Sequence, residues 1–456
     1  AVVAAGAKLY LKPAYASKLR GFTAEVDPLY VKDGTVKTPL SRGSDANLVS
    51  NSGTISVPFG KISLVGHVIE QRGQLLSSTS ATRNGSIRLM ARDLVVDLTN
   101  RVIEDGEIGT VDVQKTSTST AETFVFGSTG GELTFFAGST TVIALDGSDQ
   151  QTITRQQNFI PSFIEGRAAW IHLEGDTAEA SGANLTARSG SIQLSAAATF
   201  DRTNGLSVDS VQPLVKSVTP PIASGIFLGS GATLDVSGVT ASKSVADLFI
   251  EVELRGDEFA DNPVQRDGEL RGETAWVDSR DEVEIADLSG YLAKVGQTLE
   301  ERASSGGNIT LRTGGSLIVK QDALLDVSGG QVDYAAATVK ESKAVAYTGK
   351  AYRLNDAASD LAYAGLLTSS RNEAAYSEGK SAGTVELTGH SIALTLAHLL
   401  DELDAPTGLL LPVTGAQNEH GVVCWPFLTE QAEDLQRLGR SAASGLDCHS
   451  VMQAVY

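Results

Sequence analysis

The sequence predicts an all-β chain folded as a parallel β-helix, or β-solenoid, with loop excursions and a short, partly helical C-terminal tail. The composition and two short repeats indicate this fold. Among 456 residues 46 are glycine, while aromatic residues make up only 6%. A stack of short coils needs glycine at its corners and small branched residues inside, because each coil buries its inward side chains against its neighbours.

The first repeat is a five-residue unit of glycine, any residue, an aliphatic residue, any residue and an apolar residue. It occurs at residues 53–57, 60–64, 85–89, 131–135, 190–194, 307–311 and 383–387. Apolar positions alternate with polar ones within the unit, which is typical of a short, half-buried strand. The leading glycine supplies the turn into each strand.

The second repeat, Leu-Asp-Val-Ser-Gly, occurs at residues 234–238 and 325–329. From residue 306 the chain reads GGNITLRTGGSLIVKQDALLDVSGGQV, which predicts strands at 308–312, 316–320 and 323–327. The next strand is expected from Gln331, so one coil takes about 23 residues. Three strands joined by turns of two or three residues favour a solenoid over hairpins, which need paired strands of equal length.

Breaks in this pattern predict the organisation of the chain. Coils are expected at 1–241 and 303–333, with a last coil at 381–395. An acidic excursion is expected at 242–302, where residues 251–287 hold 13 acidic residues and four arginines. A second excursion, rich in alanine and tyrosine and weak in strand periodicity, is expected at 334–380 to lie over one face of the rod. The tail at 396–456 is interpreted as either a small appended domain or the product of a frameshift.

Charge and cysteine content exclude several classes of protein. The 36 basic and 55 acidic residues give a formal net charge of −19, which excludes nucleic acid and anionic lipid as main partners. Both cysteines, Cys424 and Cys448, lie in the tail, which excludes a disulfide framework in the main body. The longest apolar stretches are far shorter than the ~20 residues of a membrane-spanning helix. No export signal follows Ala1, so an interior or processed piece is expected.

Residues 253–272, ELRGDEFADNPVQRDGELRG, resemble a segment of the filamentous haemagglutinin-type exoproteins. The resemblance continues at residues 287–291, 301–302, 325–334 and 352–357. The general sequence pattern is similar over residues 45–392, and the residues themselves are recognisably similar over 230–365. The most specific motif is DNPVQRDG. The family's N-terminal secretion domain is not visible, so the resemblance implies an interior fragment.

This resemblance implies a right-handed parallel β-helix that crosses the outer membrane by two-partner secretion. The implied partners are the outer-membrane pore and glycans or proteins on host or neighbouring cells. The implied location is secreted, or on the surface of a Gram-negative-type cell.

Several candidate sites are weighed, and no catalytic, cofactor-binding or metal-binding residue is predicted. Ser391 follows a strand-like stretch as in a nucleophile elbow, but few residues remain after it for an acid and a histidine. A zinc site would need His420, Cys424, Cys448 and His449, whose spacing does not match that of a finger.

The acidic stretch also offers two alternatives. Residues 251–287 could bind calcium through carboxylates, but they lack a calcium-loop motif. Asp257 with Glu258, or Asp281 with Glu282, could be a glycosidase pair, although adjacent residues on a strand point to opposite faces. The glycine pairs at 306–307 and 314–315 lack the context of a phosphate-binding loop and are interpreted as corners of coils.

These observations predict a structural, non-enzymatic rod segment of a large surface adhesin, with no cofactor. Two alternatives remain open, namely a polysaccharide-active β-helix enzyme and the stalk of a contact-dependent toxin. Polysaccharide lyases of this fold usually present clustered basic and acidic residues in a groove with aromatics, and the sequence is expected to offer no such cluster. Fold alone does not decide between these functions.

Overall fold

The computed structural model describes residues 1–6, 47–91, 131–196 and 224–394, apart from 150, 155, 158, 256, 281 and 390, and several short strands elsewhere. Most of the described chain is strand, and three long sheets of parallel strands dominate it. No helix in the described part of the chain has the length and apolar character needed to cross a bilayer.

The three long sheets are named here by size. Sheet 1 has eight strands: Val2–Ala4, Lys61–Gly66, Ser86–Ala91, Phe163–Ala168, Ser191–Ala196, Asn308–Thr313, Thr384–Gly389 and Val413–Gly415. Sheet 2 has seven: Leu48–Asn51, Val68–Gln71, Glu132–Phe135, Trp170–Leu173, Gly225–Leu228, Ser316–Val319 and Ser391–Leu394. Sheet 3 has six: Thr54–Val57, Gln74–Thr79, Thr140–Leu145, Asn184–Ala187, Thr233–Asp235 and Leu324–Asp326.

The chain visits the sheets in one cyclic order, from sheet 2 to sheet 3 to sheet 1. Each strand pairs in parallel with the equivalent strand of the next visit, so that Leu48 lies opposite Val68, Lys61 opposite Ser86 and Phe163 opposite Ser191. These coils advance by 20, 25 and 28 residues. The coil for which 23 residues were predicted is longer, because Asn308 lies opposite Thr384 and the strand from Gln331 lies outside the three sheets. The arrangement is compatible with a parallel β-helix.

One hydrophobic core runs between the three sheets. In each strand alternate side chains enter it, as Ile192 and Leu194 do from sheet 1, Ile171 and Leu173 from sheet 2, and Leu185 from sheet 3, all with no exposed surface. In the following coil each of these residues lies opposite an aliphatic residue: Ile309, Leu311, Ile226, Leu228 and Leu234, respectively. Burial of this apolar surface is the main stabilising contribution to the stack.

Glycines allow the backbones of successive coils to approach closely at the corners. A Cβ atom on Gly307 would lie 2.0 Å from the carbonyl oxygen of Gly190, and one on Gly383 would lie 1.6 Å from that of Gly307. The predicted corner at Gly315 is equally tight, since its Cβ would lie 1.9 Å from the carbonyl oxygen of Ser224. The glycines that lead the repeat at Gly307 and Gly383 are therefore required by packing between coils, whereas Gly53 has no atom within 4 Å of its Cβ position.

The Leu-Asp-Val-Ser-Gly repeat forms the same corner in two adjacent coils. Asp235 lies opposite Asp326 in sheet 3. Oδ1 of Asp235 accepts hydrogen bonds from the amide and hydroxyl of Ser237, at 2.9 and 2.7 Å, and Asp326 accepts the same pair from Ser328 at the same distances. Aspartate and serine therefore form a local turn that ends the strand.

Two insertions leave the stack at the same corner, between sheet 3 and sheet 1, and together they form what we call the inserted lobe (residues 239–305 and 331–382). Three antiparallel pairings build it, namely Phe249–Glu253 with Thr274–Asp278, Ala337–Ala346 with Ala351–Arg353, and Ala337–Ala346 with Tyr363–Glu373. Thr240–Ser244, Gln331–Ala335 and Tyr376–Gly379 form a further sheet. The helices of the inserted lobe are short: Pro263–Arg266, Ser289–Leu292 and Leu299–Arg302, with 3-10 turns at Val245–Leu248 and Leu354–Asp356.

The two insertions share one core. Val252, Leu254 and Phe259 come from the first insertion, Ala344 and Leu354 from the second, and all five are at most 1% exposed. The sequence predicted two separate excursions, at 242–302 and 334–380, with the second weak in strands. The structure instead places long antiparallel strands in the second excursion and packs it against the first.

Other short strands lie outside the three long sheets. Lys8–Pro13 pairs antiparallel with Phe22–Asp27, Tyr30–Asp33 with Val36–Pro39, Arg101–Glu104 with Glu107–Thr110, and Ile153–Thr154 with Gly296–Gln297; Leu94–Val96 pairs in parallel with Thr199–Asp201, and Val125–Phe126 with Val36–Pro39. The stretch 1–241, predicted as coils, therefore also contains hairpins. Except for Val413–Gly415, the predicted tail at 396–456 lies outside the described residues.

Candidate functional site

The outward surface of sheet 2 brings aromatic residues from two strands together. Ile171 and Leu173 enter the core, so Trp170 and His172 on the same strand point outward. The next strand places Phe227 directly opposite His172. The ring centroids of Trp170 and His172 are 6.5 Å apart, and those of His172 and Phe227 are 6.0 Å apart.

The indole of Trp170 lies across the neighbouring strand at Gly225. A Cβ atom at Gly225 would lie 2.7 Å from Cζ3 and 3.1 Å from Cε3 of the Trp170 ring, so a side chain there would displace the indole. Gly225 is the residue directly opposite Trp170 in the parallel pairing. The absence of a side chain at this position lets the ring rest on the backbone.

Two carboxylates flank these rings. Glu132 lies opposite Trp170 on the preceding strand, and Glu174 follows the end of the strand Trp170–Leu173, where its Oε2 accepts a 3.2 Å hydrogen bond from the amide of Ala137. Together with the three rings they line an open depression of about 430 Å³. We call this surface the aromatic face, formed by Glu132, Trp170, His172, Glu174 and Phe227.

The chemistry of the aromatic face is that of a binding surface. Aromatic rings contribute large apolar contact areas, and carboxylate oxygens accept hydrogen bonds from hydroxyl groups. Lys320 is at the edge of the face, with its Nζ 5.9 Å from the ring centroid of Phe227.

A larger cavity, of about 660 Å³, lies in the inserted lobe, but its charges neutralise one another. Nε of Arg280 is 2.8 Å from Oδ1 of Asp278, Nε of Arg353 is 2.7 Å from Oε1 of Glu341, and Nε of Arg371 is 3.3 Å from Oε2 of Glu341. The hydrogen bond to Asp278 raises the pKa of the Arg280 guanidinium above its ordinary value. The network holds the lobe together and leaves no excess of one charge for a ligand.

A second group of charges is buried on the outer surface of sheet 1. Nε of Arg88 is 3.0 Å from Oε2 of Glu165, and Nη2 of Arg167 is 2.6 Å from Oε1 of Glu165, with all three side chains at most 3% exposed. Nη1 of Arg88 also donates a 3.1 Å hydrogen bond to the carbonyl oxygen of Ala24, in the strand Phe22–Asp27 that covers the sheet. The group is inaccessible, so its role is structural.

Ser391, weighed as a nucleophile, begins a strand of sheet 2. Its hydroxyl oxygen lies 2.9 Å from that of Ser316 on the adjacent strand. A nucleophile elbow needs a strand, a sharp turn and a helix, whereas Ser391–Leu394 is itself a strand. The structure therefore does not support this role.

The remaining candidates are not assembled into sites. Asp257 and Glu258 lie in a turn, not on a strand, so the expectation from strand alternation was wrong for this pair. Among the residues that the structure describes, no three His, Cys, Asp or Glu side chains are placed to hold a metal ion, and this includes the described part of the acidic stretch. Asp281 and the proposed zinc ligands His420, Cys424, Cys448 and His449 lie outside the described residues.

The aromatic face was not predicted from the sequence. It has two carboxylates beside its rings and a lysine only at its edge, and the parallel register places Glu132, Trp170 and Phe227 on adjacent strands. Trp170 and His172 lie two residues apart in one strand, and this spacing was the local feature from which an aromatic surface could have been predicted. Their proximity to Phe227 depends on pairing between strands that are 55 residues apart, counted from His172 to Phe227.

No family model, no curated protein and no solved structure matches the chain.

Proposed function

We propose that this chain is a rod segment of a large adhesin that is secreted or displayed on the surface of a Gram-negative-type cell. In this proposal the three parallel sheets close into a right-handed β-helix. The observation that supports it is the cyclic order of sheets 2, 3 and 1, which the described chain completes six times around one core. Such a stack is extended by adding coils, and each coil contacts only its neighbours.

The dimensions of the stack fit a role as a spacer. Strands in a sheet lie about 4.8 Å apart, so six coils extend the rod by roughly 29 Å. The same stretch of chain also carries the inserted lobe and the aromatic face, which are surfaces that a rod could present away from the cell. Many copies of a weak contact along one rod would give firm attachment through avidity.

We further propose export through an outer-membrane pore by two-partner secretion. A solenoid suits this route because a coil that emerges from a pore can pack on the coil before it without waiting for the rest of the chain. The partners on the outside would be glycans or proteins of host or neighbouring cells. A gene for an outer-membrane pore beside the gene for this chain is the expected observation, and its absence would count against the route.

Attachment can be tested with beads coated with the whole chain and applied to layers of epithelial or bacterial cells. We expect the beads to adhere, and beads coated with an Ile309→Lys variant, in which the core of the stack is disrupted, to adhere less. Absence of adhesion to every cell type tested would contradict an adhesive function. Equal adhesion of the two kinds of bead would show that the folded rod is not needed.

One observation favours a second function, a polysaccharide-active enzyme. Glu132 and Glu174 both line the aromatic face, and pairs of carboxylates beside a sugar-binding surface are the usual catalytic groups of glycosidases. The test is release of reducing ends from neutral polysaccharides by the purified chain. Activity that is lost in Glu132→Gln or Glu174→Gln would establish the enzyme, whereas binding without cleavage supports the adhesin.

A further inference from the structure

We propose that the aromatic face binds a neutral oligosaccharide chain, laid along the surface of sheet 2. This inference rests on the proposed adhesive function, to which it adds a ligand class and a place on the rod. Three features support the inference: the position of the Trp170 indole against Gly225, the arrangement of the three rings, and the charges around the rings.

Gly225 leaves room for the indole of Trp170 against the neighbouring strand. The indole covers the position where a side chain of residue 225 would stand, with ring carbons 2.7 and 3.1 Å from an added Cβ. The indole therefore lies against the neighbouring strand at the point where that strand has no side chain. The hydrogen atoms on one face of a pyranose ring form an apolar patch that packs against aromatic rings, which contribute large apolar contact areas.

The other two rings lie beside the indole, with planes tilted by 39° between Trp170 and His172 and by 37° between His172 and Phe227. His172 lies 6.5 Å from Trp170 along one strand, and Phe227 lies 6.0 Å from His172 on the next. All three rings lie on an open sheet face, so the ligand is a chain that spans several rings rather than an enclosed monosaccharide. The strands beneath it are about 4.8 Å apart, a spacing close to the repeat of an extended β-linked sugar chain.

The carboxylates beside the rings favour a neutral sugar over an anionic one. Glu132 and Glu174 flank the rings, and their carboxylates accept hydrogen bonds from sugar hydroxyl groups. They would repel carboxylated or sulfated glycans, and the chain as a whole has a formal net charge of −19. Lys320 lies at the edge of the face, next to Phe227.

The experiment uses the whole chain and soluble tetrasaccharides of glucose, N-acetylglucosamine and mannose, with a heparin tetrasaccharide as the anionic probe. Affinity is measured by calorimetry, and saturation-transfer NMR identifies which sugar protons touch the protein. We expect at least one neutral tetrasaccharide to bind and the heparin probe not to bind. We expect Trp170→Ala and Phe227→Ala each to weaken binding by about tenfold, which corresponds to about 1.4 kcal/mol.

Gly225→Ala is the sharper variant, because it adds one methyl group and leaves every ring in the protein. It should weaken binding by a similar factor through displacement of the indole, with an unchanged far-ultraviolet circular dichroism spectrum. Tyr347→Ala is the matched control, since Tyr347 is an aromatic residue that is 69% exposed in the inserted lobe, away from sheet 2. Its affinity should equal that of the unmodified chain.

Three results would overturn the inference: no binding of any neutral tetrasaccharide, stronger binding of the heparin probe, or neutral binding that Trp170→Ala and Gly225→Ala leave intact. Each is separate from the test of adhesion. A chain that adheres to cells without binding these sugars keeps the adhesive function and loses this site. A chain that binds them without adhering keeps the site and loses the adhesive function.

Discussion

Arg280 and Tyr376 lie 96 residues apart in the sequence, and Nη1 of Arg280 donates a 3.0 Å hydrogen bond to the hydroxyl oxygen of Tyr376. Arg280 belongs to the first insertion of the lobe and Tyr376 to the second. The same guanidinium binds the carboxylate of Asp278, which is only 2% exposed. One side chain therefore neutralises a buried charge and joins two distant segments.

Arg280→Met is expected to loosen the inserted lobe. It leaves the Asp278 carboxylate buried without its cation and removes the bond to Tyr376, which should lower the free energy of unfolding by about 1–3 kcal/mol. Hydrogen exchange of the strand Thr274–Asp278 would report the change locally. Arg255→Met, which breaks an exposed pair with Glu253, is the control and should change little. Equal exchange in both variants would mean that Arg280 does not hold the lobe.

Ile309→Lys is expected to unfold the stack, and Thr310→Lys to be tolerated. Ile309 has no exposed surface and lies opposite Ile192 and Val385, whereas the neighbouring Thr310 points out of the core. An unpaired charge in the core costs several kcal/mol, while a surface substitution usually costs less than about 0.5 kcal/mol. Urea denaturation of both variants measures the difference. Similar midpoints would disprove the register.

From the sequence alone, a charge at Leu325 is expected to destabilise the stack far more than a charge at Asp326, but the structure gives this pair less contrast. Leu325 is half-buried, and the carboxylate of Asp326 accepts two hydrogen bonds from Ser328. Replacing either residue therefore removes a native contact.

Gly307→Ala is expected to destabilise the stack more than Gly379→Ala. A methyl group on Gly307 would meet the carbonyl oxygen of Gly190 at 2.0 Å, so the backbones of two coils would have to move apart. Nothing lies within 4 Å of the same position on Gly379, at the end of a lobe strand. Differential scanning calorimetry should show a lower unfolding temperature for the first variant alone. Two equal temperatures would show that the coils can separate without cost.

The stability of the protein should rise with pH between about 8 and 10.5 because of Lys61. Burial, together with the nearby Arg88 guanidinium, lowers the pKa of Lys61 from 10.5 to about 8, although Glu165 opposes the shift. In this window the unfolded chain binds a proton that the folded chain has released, so raising the pH favours the folded state. Unfolding midpoints of Lys61→Met should lack this rise. A rise that persists in the variant would assign it to other groups.

Because of Tyr334, the stability of the protein should fall at higher pH, which is the opposite of the effect of Lys61. Burial, followed by the charge of Glu378, raises the pKa of Tyr334 from 10.0 to about 12. The folded chain keeps the phenol proton that the unfolded chain loses, so this contribution to stability is complete below about pH 10 and is lost as the pH approaches 12. Tyr334→Phe should weaken the fall of the unfolding midpoint between pH 10 and 12. An unchanged fall would exclude Tyr334 as its source.

Local pattern was sufficient to predict the strands of a coil. The expected strands at 308–312, 316–320 and 323–327 correspond to Asn308–Thr313, Ser316–Val319 and Leu324–Asp326. Each strand buries alternate residues in one core, and that burial leaves a two-residue period in the sequence. The glycine corners could be predicted for a similar reason, because contact between backbones excludes every larger residue.

Pairing between distant segments could not be predicted in the same way. Tyr363–Glu373 is mostly exposed along its length, so no alternation marks it as a strand, and its pairing with Ala337–Ala346 holds it in place. The aromatic face depends on which strand follows Trp170–Leu173 in sheet 2. That strand is Gly225–Leu228, and the intervening chain has no fixed length from which the register could be counted.

The shared core of the inserted lobe has a consequence for how this protein can change over generations. Two neighbouring coils each gained an insertion at the same corner, and each insertion covers apolar side chains of the other. A descendant that lost one insertion would expose the apolar side chains of the remaining insertion, and exposed apolar patches promote aggregation. The two segments are therefore expected to be inherited, exchanged or deleted as a single cassette, while the coils that carry them persist.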